Sequence, residues 1–133
     1  MSAYLFDTDV IIDVLRRRAG GYERIERLLP SGLAVSVITY GELVDGLQRS
    51  TSAARATAHM KEVLLAFRML AVDRDIAELF GRMRALVRSR GKTVADADLL
   101  IGSTALWLDL TVVTRNVKHF EHLPGLRIYT DGA

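Results

Sequence analysis

The chain has no cysteine. Disulfides and thiolate-bound metals are therefore excluded, and a reducing compartment is the natural expectation. Proline is almost missing too, with two in 133 residues, and no linker, repeat or low-complexity stretch interrupts the sequence. One domain spanning residues 1–133 is expected. Nor is there an apolar run approaching the roughly 18 residues of a membrane span. Asp7 breaks the first apolar stretch and no basic leader precedes it, so neither signal peptide nor membrane anchor is expected, and the location expected is cytoplasmic. A formal charge of +2 is too small to imply nucleic acid alone. The arginines nevertheless cluster, at Arg16-Arg17-Arg18, at Arg82 and Arg84, and at Arg88 and Arg90 with Lys92. Solvated helix faces account for such clusters, and a phosphate-binding surface is compatible with them. With 50% hydrophobic and 26% charged residues, the composition is that of an ordinary globular domain able to close a core unaided.

Short β-like runs alternate with helical patterns. Strands are expected at Ala3–Phe6, Leu33–Ile38, Met69–Val72, Thr111–Val113 and Arg127–Tyr129. Ile76, Leu79, Phe80, Met83, Leu86 and Val87 recur at helical spacing, and Gly91 ends that helix. Ala53–Phe67 reads as another helix, with Met60, Val63, Leu64 and Phe67 on its apolar side. Trp107 and the leucines around it read as core. Strands alternating with helices imply an α/β fold whose mostly parallel central sheet is covered on both faces. In such sheets functional residues gather at the carboxyl ends of the strands.

Three acids occupy that kind of place. Asp7 follows the first strand in "AYLFDTDVIIDVL", Glu42 lies in "LAVSVITYGELVDGL", and Asp98 lies in "GKTVADADLLIGSTAL", the last two in the first turns of helices. Each has a structural explanation. Thr39-Tyr40-Gly41-Glu42 has the pattern of a capping box, Thr93-Val94-Ala95-Asp96 is a weaker version, and acids in a first turn complement the helix dipole. Capping explains each acid separately but not the recurrence on three distant segments. If the sheet brings those ends together, three carboxylates raise each other's pKa unless a cation joins them. Oxygen-only sites suit hard ions such as Mg2+ or Mn2+, and Mg2+ commonly binds phosphates. The pattern therefore predicts metal-assisted phosphoryl chemistry.

The stretches "YLFDTDVII", "SVITYGELVDGL", "DADLLIGSTAL" and "LTVVTRNVKHFEHLPGLRI" run in order from residue 4 to residue 128. In these the sequence resembles a PIN-domain ribonuclease and, within that family, the VapC toxins of bacterial toxin–antitoxin pairs. The resemblance implies catalytic and metal-binding roles for Asp7, Glu42 and Asp98. Asn116 stands at the position of the family's fourth acid and offers a carbonyl oxygen in its place. Thr8, Thr114 and the additional acid Asp96 are implied supports, and Arg115 and Lys118 are implied RNA contacts. Asp9 stands where the family most often has Asn. Asp98 rather than Asp96 matches the third acid, and two residues apart on a helix the pair cannot readily share one ion.

The implied activity is hydrolysis of phosphodiester bonds in structured RNA such as transfer or ribosomal RNA loops, by water activated at Mg2+ or Mn2+. The implied assembly is a homodimer with an antitoxin, extending to larger toxin–antitoxin complexes. An antitoxin helix entering an apolar groove lined by the Ala53–Phe67 helix and the Tyr40–Leu47 turn is the expected mode. Two alternatives stay open: another metal-dependent nuclease acting on DNA or processing RNA, and a catalytically silent PIN-like binding module. Gly91-Lys92-Thr93 resembles the end of a P-loop, but Leu86 occupies the required glycine position. No Gly-x-Ser-x-Gly elbow occurs. His119 and His122 lack partners in the sequence for a zinc site and read as surface residues.

Overall fold

A computed structural model describes residues 2–130 of the chain. Five short strands, β1 (Tyr4–Phe6), β2 (Leu33–Ser36), β3 (Arg68–Leu70), β4 (Thr111–Val113) and β5 (Arg127–Tyr129), form one sheet in the order β3-β2-β1-β4-β5. All four pairings are parallel, with Phe6 opposite both Val35 and Val113. The helices are α1 (Thr8–Leu15), α2 (Gly21–Leu28), α3 (Val37–Leu47), α4 (Ala53–Leu64), α5 (Arg74–Ser89), α6 (Asp96–Leu108) and the single turn α7 (Val117–Phe120).

The alternation of side chains along a strand decides how the two faces are filled. Phe6, Val35 and Val113 join Val10, Ile11, Val14, Met60 and Phe67 in one cluster, against α1 to α4. Their strand neighbours Leu5, Ala34 and Val112 pack on the other face with Ile101, Ala105 and Phe120. Phe6 meets Phe67 edge-on with ring centroids 5.1 Å apart. The central strands β1, β2 and β4 are largely buried on both faces because each face has helices to bury against, while the edge strands β3 and β5 carry exposed Arg68 and Arg127.

Several expectations need correcting, beginning with the third strand, which runs Arg68–Leu70 and not Met69–Val72, and α4, which ends at Leu64 and not Phe67. The second strand stops at Ser36, not Ile38, because the Ser36 hydroxyl caps α3 by accepting the Ile38 N–H at 3.0 Å. Trp107 is not core: it is 51% exposed, and Leu108 is exposed beside it. They lie in the last turn of α6, whose buried residues are Leu99 and the run from Ile101 to Ala105. Leucines stand on both sides of α6, at Leu99, Leu100, Leu106 and Leu108, so periodicity could not tell its inner from its outer side. Among the described residues no helix is long and apolar enough to cross a membrane.

The chain runs from central β1 outward to β2 and β3, then returns to β4 on the other side of β1. The reversal lies between β1 and β4, and the loops leaving those two strands bound the crevice where such sheets place their sites.

Candidate active site

Asp7 is the residue after β1 and the N-cap of α1. Its backbone N–H donates to the Val113 carbonyl at 2.9 Å, which continues the β1–β4 ladder by one rung and leaves the residue only 4% exposed. One carboxylate oxygen accepts the Thr8 N–H at 2.8 Å, and the other accepts the Thr114 hydroxyl at 2.8 Å. Thr114, just past β4, also receives the Asn116 N–H at 2.9 Å, so its hydroxyl proton is directed at the acid. The β1 and β4 ends thus fix both oxygens of Asp7.

Thr8 links this acid to the next. Its hydroxyl lies 2.6 Å from Glu42 Oε1 and 3.0 Å from the hydroxyl of buried Thr39. Glu42 is not part of a capping box and not in a first turn. Because Ser36 starts the helix at Val37, Glu42 falls in the second turn of α3, on the side that meets Thr8. Nor is there a capping box at Thr93–Asp96: Ala95 holds the N-cap position of α6 without a side-chain bond.

Asp98 is in the first turn of α6, as expected, and His119 Nδ1 of α7 lies 3.2 Å from its Oδ2. Asp96 turns the other way, to Arg84 Nε at 2.8 Å. Asp9 completes the group. It accepts the Arg115 N–H at 2.9 Å and lies 3.5 Å from the Thr114 hydroxyl. Arg115, Asn116 and Lys118 are exposed on the loop and turn after β4.

The four acids Asp7, Asp9, Glu42 and Asp98 share one electrostatic field. Burial, and then the Asp9 charge, push Asp7 up from 3.8 to about 7, with Asp98 adding to the rise and the Thr114 and Thr8 hydrogen bonds opposing it. Asp98 is also raised, first by burial; His119 pulls it down, while Glu42 and Asp9 push it up. A cation among them relieves that repulsion, and an all-oxygen donor set suits Mg2+ or Mn2+. Among the described residues, no three acids or histidines stand close enough to hold a metal ion directly.

The sequence reading gave Asp9, Thr39 and His119 no place in the site, naming Asp9 only as a departure from the family's usual Asn and His119 only as a surface residue. Asp9 was visible as the second acid of "FDTD". The approach of His119 to Asp98 depends on where α7 packs against α6, which no local pattern encodes.

A family model described as PIN domain matches residues 4–126. The chain is 33% identical to the ribonuclease VapC1 of Methanocaldococcus jannaschii, over 96% of this chain and 88% of that protein. It is 29% identical to the tRNA(fMet)-specific endonuclease VapC of Salmonella typhimurium, over 96% of this chain and 97% of that one. Among solved structures, the DNA-bound VapBC complex of Salmonella typhimurium superposes with a TM-score of 0.90 at 28% identity, covering 97% of this chain and 98% of that chain. FitAcB of Neisseria gonorrhoeae gives 0.83 at 26% identity, with 96% of each chain covered.

Proposed function

Because the chain belongs to the PIN-domain family, with VapC ribonucleases among its relatives, we propose that it is a Mg2+- or Mn2+-dependent endoribonuclease toxin. The observation that carries this is the gathering of Asp7, Asp9, Glu42 and Asp98 from three distant segments at one crevice, where burial and mutual repulsion raise Asp7 and Asp98. A purely structural role for these acids would not favour a grouping that costs stability.

Asp7, Glu42 and Asp98 would hold the ion, and Asn116, whose backbone N–H donates to Thr114, would offer a carbonyl oxygen. When bound, the ion acidifies a water and offsets charge on the phosphate. Asp7 acts as an oriented acceptor because Thr8 N–H and Thr114 fix both of its oxygens. Thr8 performs the same service for Glu42. Arg115 and Lys118, on the open side of the crevice, meet the RNA backbone and make binding strongly salt-dependent. The substrate is a structured RNA with an accessible loop, where single-stranded bases are splayed.

An antitoxin neutralises the activity. A depression of about 490 Å³ between α1, α3 and α4 is lined by Ile12, Leu15, Leu43, Leu47 and Ala56, with Glu42 at its edge. It suits the apolar face of a helix whose end reaches the acids. The toxin itself forms a homodimer, measurable by sedimentation.

The deciding experiment compares wild type and Asp7→Asn on RNA and on DNA of one sequence, with Mg2+, with Mn2+ and with EDTA. Metal-dependent RNA cleavage that disappears in the variant is expected. Equal cleavage by the variant refutes the assignment, and preferential cutting of DNA redirects it to a different nuclease.

A further inference from the structure

We propose that Asp13 is a positioning residue that clamps Arg18 and Arg115 into a paired phosphate subsite for the RNA backbone, beside the acids. The proposal rests on the ribonuclease reading above. Asp13 lies one turn after Asp9 on the same face of α1, and is 5% exposed. Its two oxygens take one cation each: Arg18 Nη1 lies 3.1 Å from Oδ1, and Arg115 Nε lies 2.7 Å from Oδ2. Both arginine side chains are about half exposed, at 48%. One buried acid thus anchors two guanidinium groups whose outer parts meet solvent, and the trio carries a net positive charge.

Two unrelated pieces of backbone deliver those arginines. Helix α1 ends in a left-handed turn at Arg17, whose φ is +54°. The Arg17 N–H donates to the Val14 carbonyl at 3.0 Å and the Arg18 N–H to the Asp13 carbonyl at 2.8 Å. This is the Schellman pattern, ordinarily closed by glycine. An arginine in that conformation is strained where glycine would not be, and the turn it makes folds Arg18 back onto Asp13. Arg115 comes from the loop after β4 and is held twice by α1, its N–H by Asp9 at 2.9 Å and its side chain by Asp13.

Among the described residues no acceptor is paired with Nη1 or Nη2 of Arg115, or with Nε or Nη2 of Arg18. Guanidinium groups with unspent N–H donors suit phosphate oxygens, and side chains already fixed lose little entropy on binding. A depression of about 350 Å³ lined by Thr114, Arg115, Val117 and Tyr129 gives room for a nucleotide next to Arg115. The subsite therefore takes a phosphodiester neighbouring the one cleaved.

Charge alone gives the test a sign. If Asp13 merely neutralised the arginines, removing its charge would leave the surface more positive and RNA binding equal or tighter. A positioning role predicts the opposite. The experiment measures kcat and KM for Mn2+-dependent cleavage of unfractionated transfer RNA, and RNA affinity in EDTA, for wild type and Asp13→Asn. It repeats both for Arg18→Gln/Arg115→Gln with and without Asp13→Asn. Expected are a KM and dissociation constant about 10-fold higher for Asp13→Asn, kcat within about twofold, and no further loss when Asp13→Asn is added to the arginine pair. Affinity equal to or tighter than wild type, or a full additional loss in the combined variant, overturns the proposal. If Asp13→Asn does not fold, Arg18→Gln alone decides, because an unchanged KM there also overturns it. A wild type that neither binds nor cleaves RNA brings down the ribonuclease reading and this inference together, whereas an active wild type isolates the inference.

Discussion

At Asp7 the buried carboxyl keeps its proton up to about pH 7 in the folded chain, against 3.8 when it is solvated. The folded state therefore binds more protons than the unfolded state between those values. The stability this contributes is complete below about pH 4 and is lost as pH rises through the folded value. Asp98, also raised, acts in the same direction. Metal-free protein should melt on the order of 5 °C lower at pH 8 than at pH 5, by calorimetry in EDTA, and Asp7→Asn should flatten the difference. Adding Mn2+ at pH 8 should restore the melting temperature of the wild type but not of Asp7→Asn. A second test concerns Thr114, whose hydroxyl donates to Asp7 at 2.8 Å. Thr114→Val keeps the shape but removes the donor and leaves a buried Asp7 oxygen without its partner, so cleavage at neutral pH should fall about 10-fold and stability by about 1–3 kcal/mol. Asp7 and Asp98 were legible as single residues because each sits at a strand or helix boundary. Asp9 was noted but given no site role, because its place there depends on the Arg115 N–H, 106 residues away in sequence.

Helix α3 illustrates how an element can be found while its start is misplaced. Val37 and Ile38 are β-branched and extend the strand pattern of Leu33–Val35, while Thr39 and Glu42 have capping-box spacing, so local preference favours a start at Tyr40. The chain instead turns at Ser36, whose hydroxyl caps the helix from a fully buried position. The difference matters for the site. A helix starting at Val37 carries Glu42 into its second turn, within 2.6 Å of Thr8, and not back onto its own amide. Ser36→Ala should destabilise the fold by about 1 kcal/mol or somewhat more, measured by urea denaturation. Because α3 also carries Glu42, the variant's Mn2+-dependent melting shift should shrink as well.

For the whole molecule, the two-faced α/β architecture was readable because strand and helix patterns alternate and the central strands β1, β2 and β4 are mostly apolar. The order β3-β2-β1-β4-β5 was not, since strand adjacency is decided by tertiary packing rather than local preference. That order is what brings β1 and β4 side by side and so gathers the acids. It also leaves α1, α3 and α4 to form one apolar depression ending at Glu42, with Arg16 and Arg49 on its rim. A helix seated there buries its apolar face against Ile12, Leu15 and Leu47, and its end arrives at carboxylates that already repel one another. A cationic side chain on that end would relieve the repulsion as a metal ion does, so antitoxin and metal should compete. Leu47→Asp places a charge in the middle of the groove. It should weaken capture of a cognate VapB-like antitoxin at least about 10-fold by calorimetry, because a buried unpaired carboxylate faces an apolar surface. Titrating Mn2+ into the wild-type complex should lower antitoxin affinity progressively. An affinity indifferent to both would locate the antitoxin on another face of the molecule.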